Sequence, residues 1–217
     1  MFGSRLSFRA GAADTQWRTT VSLRRFHTIV FACAALLGVE AARVHAQDVT
    51  EVSLKGAFIF NFARFTNWPA EALPSAGSIS ACVVGDRGVS EALRRSVSGR
   101  NLNGRAIVVS FIEPDGALPG CHFLYVSRVS RTRLAEIIYR LHGTPVLTVS
   151  DDDAFIKLGG MIQVYIESGK MRFRINPKSA KRAGLQLSSR LLALADLVDA
   201  DPPPPPPSMA GSTSKAR

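Results

Sequence analysis

Residues 79–98 read ISACVVGDRGVSEALRRSVS, and the fold turns on them. Ile79–Val84 is a short apolar run rich in β-branched residues, which predicts a strand. Gly85-Asp86-Arg87-Gly88 breaks the run, and helical spacing takes over near Ser90–Ser98. The alternation continues downstream. A turn at Gly99–Arg105 leads to a strand at Ala106–Ile112, and a loop at Pro114–Gly120 leads to a strand at His122–Ser127. A helix over 131–142 carries Leu134, Ile137, Ile138 and Leu141 on one face and ends at Gly143. Pro145–Ser150 is a fourth strand, buried by its composition. Strands alternating with helices predict an α/β fold, a mostly parallel sheet with helices on both faces.

Beyond Ser150 the pattern changes. Asp151-Asp152-Asp153 opens a short helical turn to Lys157, closed by Gly159-Gly160. Met161–Ile166 and Met171–Ile175 alternate around Glu167-Ser168-Gly169-Lys170, a C-terminal antiparallel hairpin expected at one sheet edge. A last amphipathic helix is predicted over Leu185–Leu197. Pro202–Pro207 end the domain with a polyproline segment and a polar tail expected to be disordered. Upstream of the first strand, residues 49–67 predict a helix with the stripe Leu54, Ala57, Phe58, Asn61, Phe62 and Phe65, stopped by Trp68-Pro69. Phe60 lies off that stripe, so this helix is apolar nearly all round and buried on more than one side.

The N-terminus has export chemistry. Arg24-Arg25 precede an apolar run from Phe26 to Val39, and Val44-His45-Ala46 fits a small-x-small cleavage pattern. The run is shorter than the ~20 apolar residues that a spanning helix needs. Residues 1–46 are therefore expected to be a signal peptide cleaved after Ala46, residues 47–200 a single domain, and residues 201–217 a proline-rich tail. The full chain has a formal charge of +10; removal of 1–46 leaves 21 basic and 15 acidic residues. The basic residues are scattered without aromatic interleaving, which argues against a nucleic-acid partner. Cys33 leaves with the signal. Cys82 and Cys121 remain in an oxidising compartment, at matching ends of predicted strands, and one disulfide is the economical reading; the alternative is two buried free thiols.

Catalytic motifs fail one by one. His122 follows Cys121 directly, and strand neighbours point to opposite faces, so they form no Cys-His pair. The chain has no G-x-S-x-G elbow, no H-E-x-x-H and no spaced Cys/His metal set. The sequence points to no cofactor, no metal and no enzymatic activity. Two weaker features lie at strand ends, where open α/β sheets often bind ligands. Gly85-x-x-Gly88, with Asp86 and Arg87, could cradle an anion, or be a simple turn. Asp151 and Asp152 could hold a ligand, or cap a helical turn.

Several blocks resemble one family. They are KGAFIFNFARFTNWP at 55–69, CVVGD at 82–86, GCHFLYVS at 120–127 and VLTVS at 146–150. Further on come Phe155 with GGMI at 159–162, FRINP at 173–177, AGL at 183–185 and SSRLL at 188–192. In order and spacing these blocks resemble the YfiR-like periplasmic proteins across residues 52–198. The resemblance implies a periplasmic, usually dimeric α/β protein. It further implies a regulator that represses a membrane-bound signalling protein, such as a diguanylate cyclase, and so lowers cyclic di-GMP and biofilm formation. The two family cysteines match Cys82 and Cys121. A second pair found in some members is missing, and the proline tail departs from the family pattern.

A repressor of this kind needs a docking surface rather than a catalytic residue. The hairpin and the loop before it are the expected surface, with Phe155, Ile156, Leu158, Ile162 and Val164 as the contact residues. The competing expectation is that these side chains pack under the C-terminal helix. The alternative function is an envelope small-ligand binding protein using Asp86, Arg87, Asp151 and Asp152.

Overall fold

The β-branched run at 79–84 becomes a strand because its neighbours bury it on both faces. In the computed structural model, which describes residues 51–73 and 77–201, it is β2 (Ile79–Val84), paired in parallel with β4 (Arg105–Ile112) and with β5 (Phe123–Val126). The expected signal segment and the proline tail lie outside the described residues. Residues 51–64 form helix α1, and β1 (Thr66–Asn67) follows it. α2 (Arg87–Val97) follows β2, and β3 (Asn101–Leu102) precedes β4. After β5 come α3 (Arg131–Leu141), β6 (Leu147–Ser150), β7 (Ile162–Glu167) and β8 (Lys170–Ile175). α4 (Pro177–Arg182), β9 (Gln186–Leu187), α5 (Ser189–Leu192) and β10 (Asp196–Leu197) close the domain.

The main sheet has the order β10-β8-β7-β6-β5-β2-β4-β3. It is a mixed sheet, and the expectation of a mostly parallel one is corrected. Two tight turns turn the chain back on itself. Asn103-Gly104 joins β3 to β4, and Ser168-Gly169 joins β7 to β8. Both residues of each turn have positive φ, 51° and 75° in the first and 50° and 73° in the second. That backbone twist matches antiparallel strands. The β7–β8 pair is not at the sheet edge, because β10 lies parallel along β8, with Val198 N–H donating to the Ile175 carbonyl at 2.9 Å.

Helices cover both faces. On one, α1 and α2 pack over Ile79, Ala81, Val83, Phe123, Tyr125 and Val149. On the other, α3 packs over Cys82, Val84, Leu124 and Val126 with Phe155. α1 and α2 meet backbone to backbone at Gly56, where a Cβ would come within 2.6 Å of the Ala92 carbonyl carbon. The buried face of α1 is accordingly Gly56, Ile59, Phe60, Phe62 and Ala63. The expected stripe was rotated: Asn61, Leu54 and Phe65 are exposed, and Phe60 is core. Periodicity does not choose a face when a helix is apolar all round; the glycine that admits a neighbouring backbone does.

The predicted helix over Leu185–Leu197 is also corrected. Gln186 and Leu187 pair instead with Asn67 and Thr66, and the Ser188 side chain accepts from Leu191 N–H at 3.2 Å to start the short α5. Asp196 and Leu197 then return to the sheet. Leucines of this stretch thus belong to three different elements, Leu187 to β9, Leu191 and Leu192 to α5, and Leu197 to β10. α4 was not expected from the sequence. It is started by Asn176, whose carboxamide oxygen accepts from Ser179 N–H, with Pro177 in the first helical position.

Candidate functional site

β2, β5 and β6 end side by side, and their last residues place polar groups at the carboxyl edge of the sheet. After β2 the chain turns at Gly85, φ 81°, where a Cβ would fall 2.0 Å from the Ser127 carbonyl oxygen. Asp86 follows. Its buried carboxylate accepts from Val89 N–H at 3.0 Å, capping α2, and takes an ion pair from Arg128 at 3.2 Å. The protein's own carboxylate thus occupies the helix start, and an anion there would face negative charge. The anion-cradle expectation for Gly85–Gly88 does not fit this geometry. Arg87 turns outward to Glu113 at 2.9 Å and stacks over Phe111.

After β6 the three aspartates separate. Asp151 accepts from Lys55 of α1 at 2.7 Å, and Lys55 also pairs with Glu51 at 2.8 Å. The Asp152 carboxylate accepts from Ala154 N–H at 2.8 Å and shapes the turn, while Asp153 accepts from Gln163. Burial works against the charge on Asp151, but the Lys55 ammonium and the Ser127 hydroxyl outweigh it and hold the carboxyl below its ordinary value. Burial likewise opposes the charge on Lys55, and the two carboxylates overcome it, leaving the ammonium above its usual range.

Tyr125, on β5, lies fully buried beneath this pair. Its hydroxyl finds no hydrogen-bond partner of good geometry, and burial together with the Asp151 charge raises the phenol well above its normal value. Of the four residues expected at a ligand site, the structure brings Asp86 and Asp151 to the same edge, and both act on Tyr125. Lys55 and Tyr125 were missed by sequence reasoning. Lys55 is one cation on a long helix, and Tyr125 reads as an ordinary strand aromatic. The pair helps to line a cleft of about 260 Å³, together with Glu51, Asp153, Val164 and Ile166. Among the described residues no cluster of His, Cys, Asp and Glu could hold a metal ion.

The expected docking residues are interior. Phe155, Ile156, Ile162 and Val164 are buried, and Leu158 is half-buried against the α3-side core. The aromatic ring of Phe155 fills the space over Gly160, where a Cβ would come within 2.3 Å of it. Large apolar groups do reach the surface, on the hairpin and near it and also at Phe65, Val108 and Tyr139. Ile166 is 49% exposed, Leu54 40%, Leu194 76% and Leu197 58%.

Cys82 and Cys121 form a disulfide with Cα atoms 6.0 Å apart, tying β2 to the start of β5. His122 beside it is structural: its Nδ1 accepts from Ser80 N–H at 3.0 Å. Burial lowers its pKa and Arg105 adds to the effect, so the ring is neutral at pH 7. With this geometry in place, one comparison with known proteins bears on it: the model of the family described as YfiR/HmsC-like matches residues 52–196, two thirds of the chain and nearly all of its described residues.

Proposed function

The chain belongs to the YfiR/HmsC-like family, and on that premise we propose that it is a periplasmic regulatory binding protein. It acts stoichiometrically, by holding a membrane-anchored signalling protein, such as a diguanylate cyclase, in its inactive state through that partner's periplasmic region. The family is one of periplasmic regulators, and the Cys82–Cys121 bridge suits that compartment. The observation that carries the reading is the exposure of Ile166 on β7 and Leu197 on β10, with Leu194 between α5 and β10 and Leu54 on α1. Large apolar side chains left in solvent are suited to docking. The carboxylates of Asp151 and Asp86 at the strand ends, by contrast, are paired with Lys55 and Arg128.

The test uses membranes that carry the cyclase identified by cross-linking to the full chain. Added protein should lower cyclic di-GMP synthesis in a saturable, one-to-one manner, and Ile166→Glu should remove the effect while circular dichroism stays unchanged. Unaltered synthesis at saturating protein refutes repression.

The cleft beside Lys55 supports a second reading, a small-ligand binding protein of the envelope. Its favouring observation is the unpartnered, buried Tyr125 hydroxyl close to the Asp151 carboxylate. A ligand at this edge should raise the melting temperature of the wild type and leave that of Asp151→Asn unmoved.

A further inference from the structure

At its other side the sheet ends in a strand that is only partly covered. β4 is eight residues long, yet β3 pairs with it at Arg105 and Ala106 alone. From Ile107 to Ile112 no strand lies along its outer side among the described residues. None of residues 105–111 is buried, whereas every residue of β5 and β6 is, and Val108 is 52% exposed. The ladder decides which backbone groups face outward. The Ile112 carbonyl accepts from Gly85 N–H on the β2 side. Successive residues present their backbone groups to alternate sides, so Ile107, Val109 and Phe111 face the free side. Arg94 of α2 confirms the direction, reaching the Val109 carbonyl at 3.3 and 3.4 Å. Both distances are long for a hydrogen bond, and the contact is easily given up.

A groove of about 440 Å³ runs beside this edge, with Val97, Ile107 and Val109 as its apolar lining and Arg94 and Arg100 at its rim. Arg94, Arg95 and Arg100 are exposed and make no ion pair among the described residues. We propose that the free edge of β4 is a strand-addition site for an extended, acidic segment of another protein. An unpaired edge is a template for main-chain hydrogen bonds. Six residues of strand offer about 20 Å of it. The arginines then select carboxylates over other side chains. A second copy of this chain is the poorer occupant, because a two-fold contact brings the same patch against itself. Arginine would face arginine, and like charges across an interface are costly.

The inference stands apart from the regulatory role: it needs no membrane partner, and β4 lies at the opposite end of the strand order from the β7–β8–β10 face. The probe is a synthetic ten-residue peptide alternating glutamate with valine, titrated calorimetrically into the full secreted chain. Its counterpart alternates lysine with valine. The acidic peptide should bind at least about tenfold more tightly than the basic one. It should also slow amide exchange at Ile107, Val109 and Phe111. Val109→Pro removes an outward N–H, a change an edge strand tolerates. This variant should lose the peptide and keep its melting temperature; should it fail to fold, amide exchange on the wild type decides alone. Absence of binding, equal binding of both peptides, or binding without slowed exchange at those amides overturns the proposal. So does a wild type that sediments as a dimer and becomes monomeric on Val109→Pro, for then a second copy covers the edge.

Discussion

The Lys55 ammonium lies 2.7 Å from the Asp151 carboxylate and fastens the first half of α1 to the end of β6. Both side chains are mostly withdrawn from solvent, so removing one leaves the other charge poorly compensated. Asp151→Asn should cost about 1–3 kcal/mol in urea unfolding at pH 7.

The same pair sets a pH dependence. The folded-state pKa of Asp151 is depressed, so its contribution is present above the unfolded value and is lost as pH falls through the folded one. The folded-state pKa of Lys55 is raised, so its contribution holds below the unfolded value and is lost as pH rises through the folded one. Stability curves of wild type and Asp151→Asn should therefore converge at acid pH and stand furthest apart near neutrality. A constant gap down to pH 2 would show that the lost stability is not electrostatic.

The disulfide closes a segment with a sequence separation of 39. Loop-closure entropy for that length predicts about 3–4 kcal/mol. Reduction should lower the free energy of unfolding in urea by that amount and leave the domain folded, since the core on both faces of the sheet does not depend on the bridge. Thiol labelling of unreduced, denatured protein comprising residues 47–217 should find no free cysteine.

Three glycines separate steric from conformational effects. At Gly56 a methyl group meets the Ala92 backbone, and at Gly85 it meets the Ser127 carbonyl with φ already positive. Neither neighbour can swing aside, so Gly56→Ala and Gly85→Ala should each destabilise by more than about 2 kcal/mol. At Gly99, φ is 67° and nothing stands within 4 Å. Gly99→Ala should cost only about 1 kcal/mol, the left-handed backbone alone. Equal losses at all three would discount the close approach of α1 to α2.

Ile156 and Ile166 divide core from surface. Ile156 is buried and Ile166 half exposed. A carboxylate at 156 would be stranded without a partner, at a cost of several kcal/mol. Ile156→Glu should unfold or lower the melting temperature by tens of degrees, and Ile166→Glu should shift it by a few at most.

The order of helices and strands from Ile79 to Ser150 was legible because each strand is one apolar run ended by a glycine, a proline or a cap. The mixed pairing was legible in part. Asn103-Gly104 is a strong hairpin signal that a two-residue strand obscures, so the sequence around β3 predicts only a turn. The final helix failed because Leu191, Leu192, Ala195 and Val198 satisfy helical spacing while β1 and β8 draw off the flanking residues into pairs. Tertiary partners, absent from any local window, won there. Phe155, Ile156, Ile162 and Val164 were misplaced because composition marks apolar residues without saying which are covered. The Lys55–Asp151 pair joins residues 96 apart, and only the assembled sheet brings them together.

α1 ends at residue 64, before the expected stop at Trp68, which follows β1 and is buried, with its indole Nε1 donating to the His122 carbonyl at 3.2 Å, one residue past the bridged Cys121. The chain has two tryptophans, Trp17 and Trp68, and the second lies among the described residues. A disulfide close to an indole quenches its fluorescence. The junction of helix, sheet and bridge therefore carries its own optical gauge: opening the bridge brightens Trp68, and detaching α1 from the sheet shifts its emission to the red.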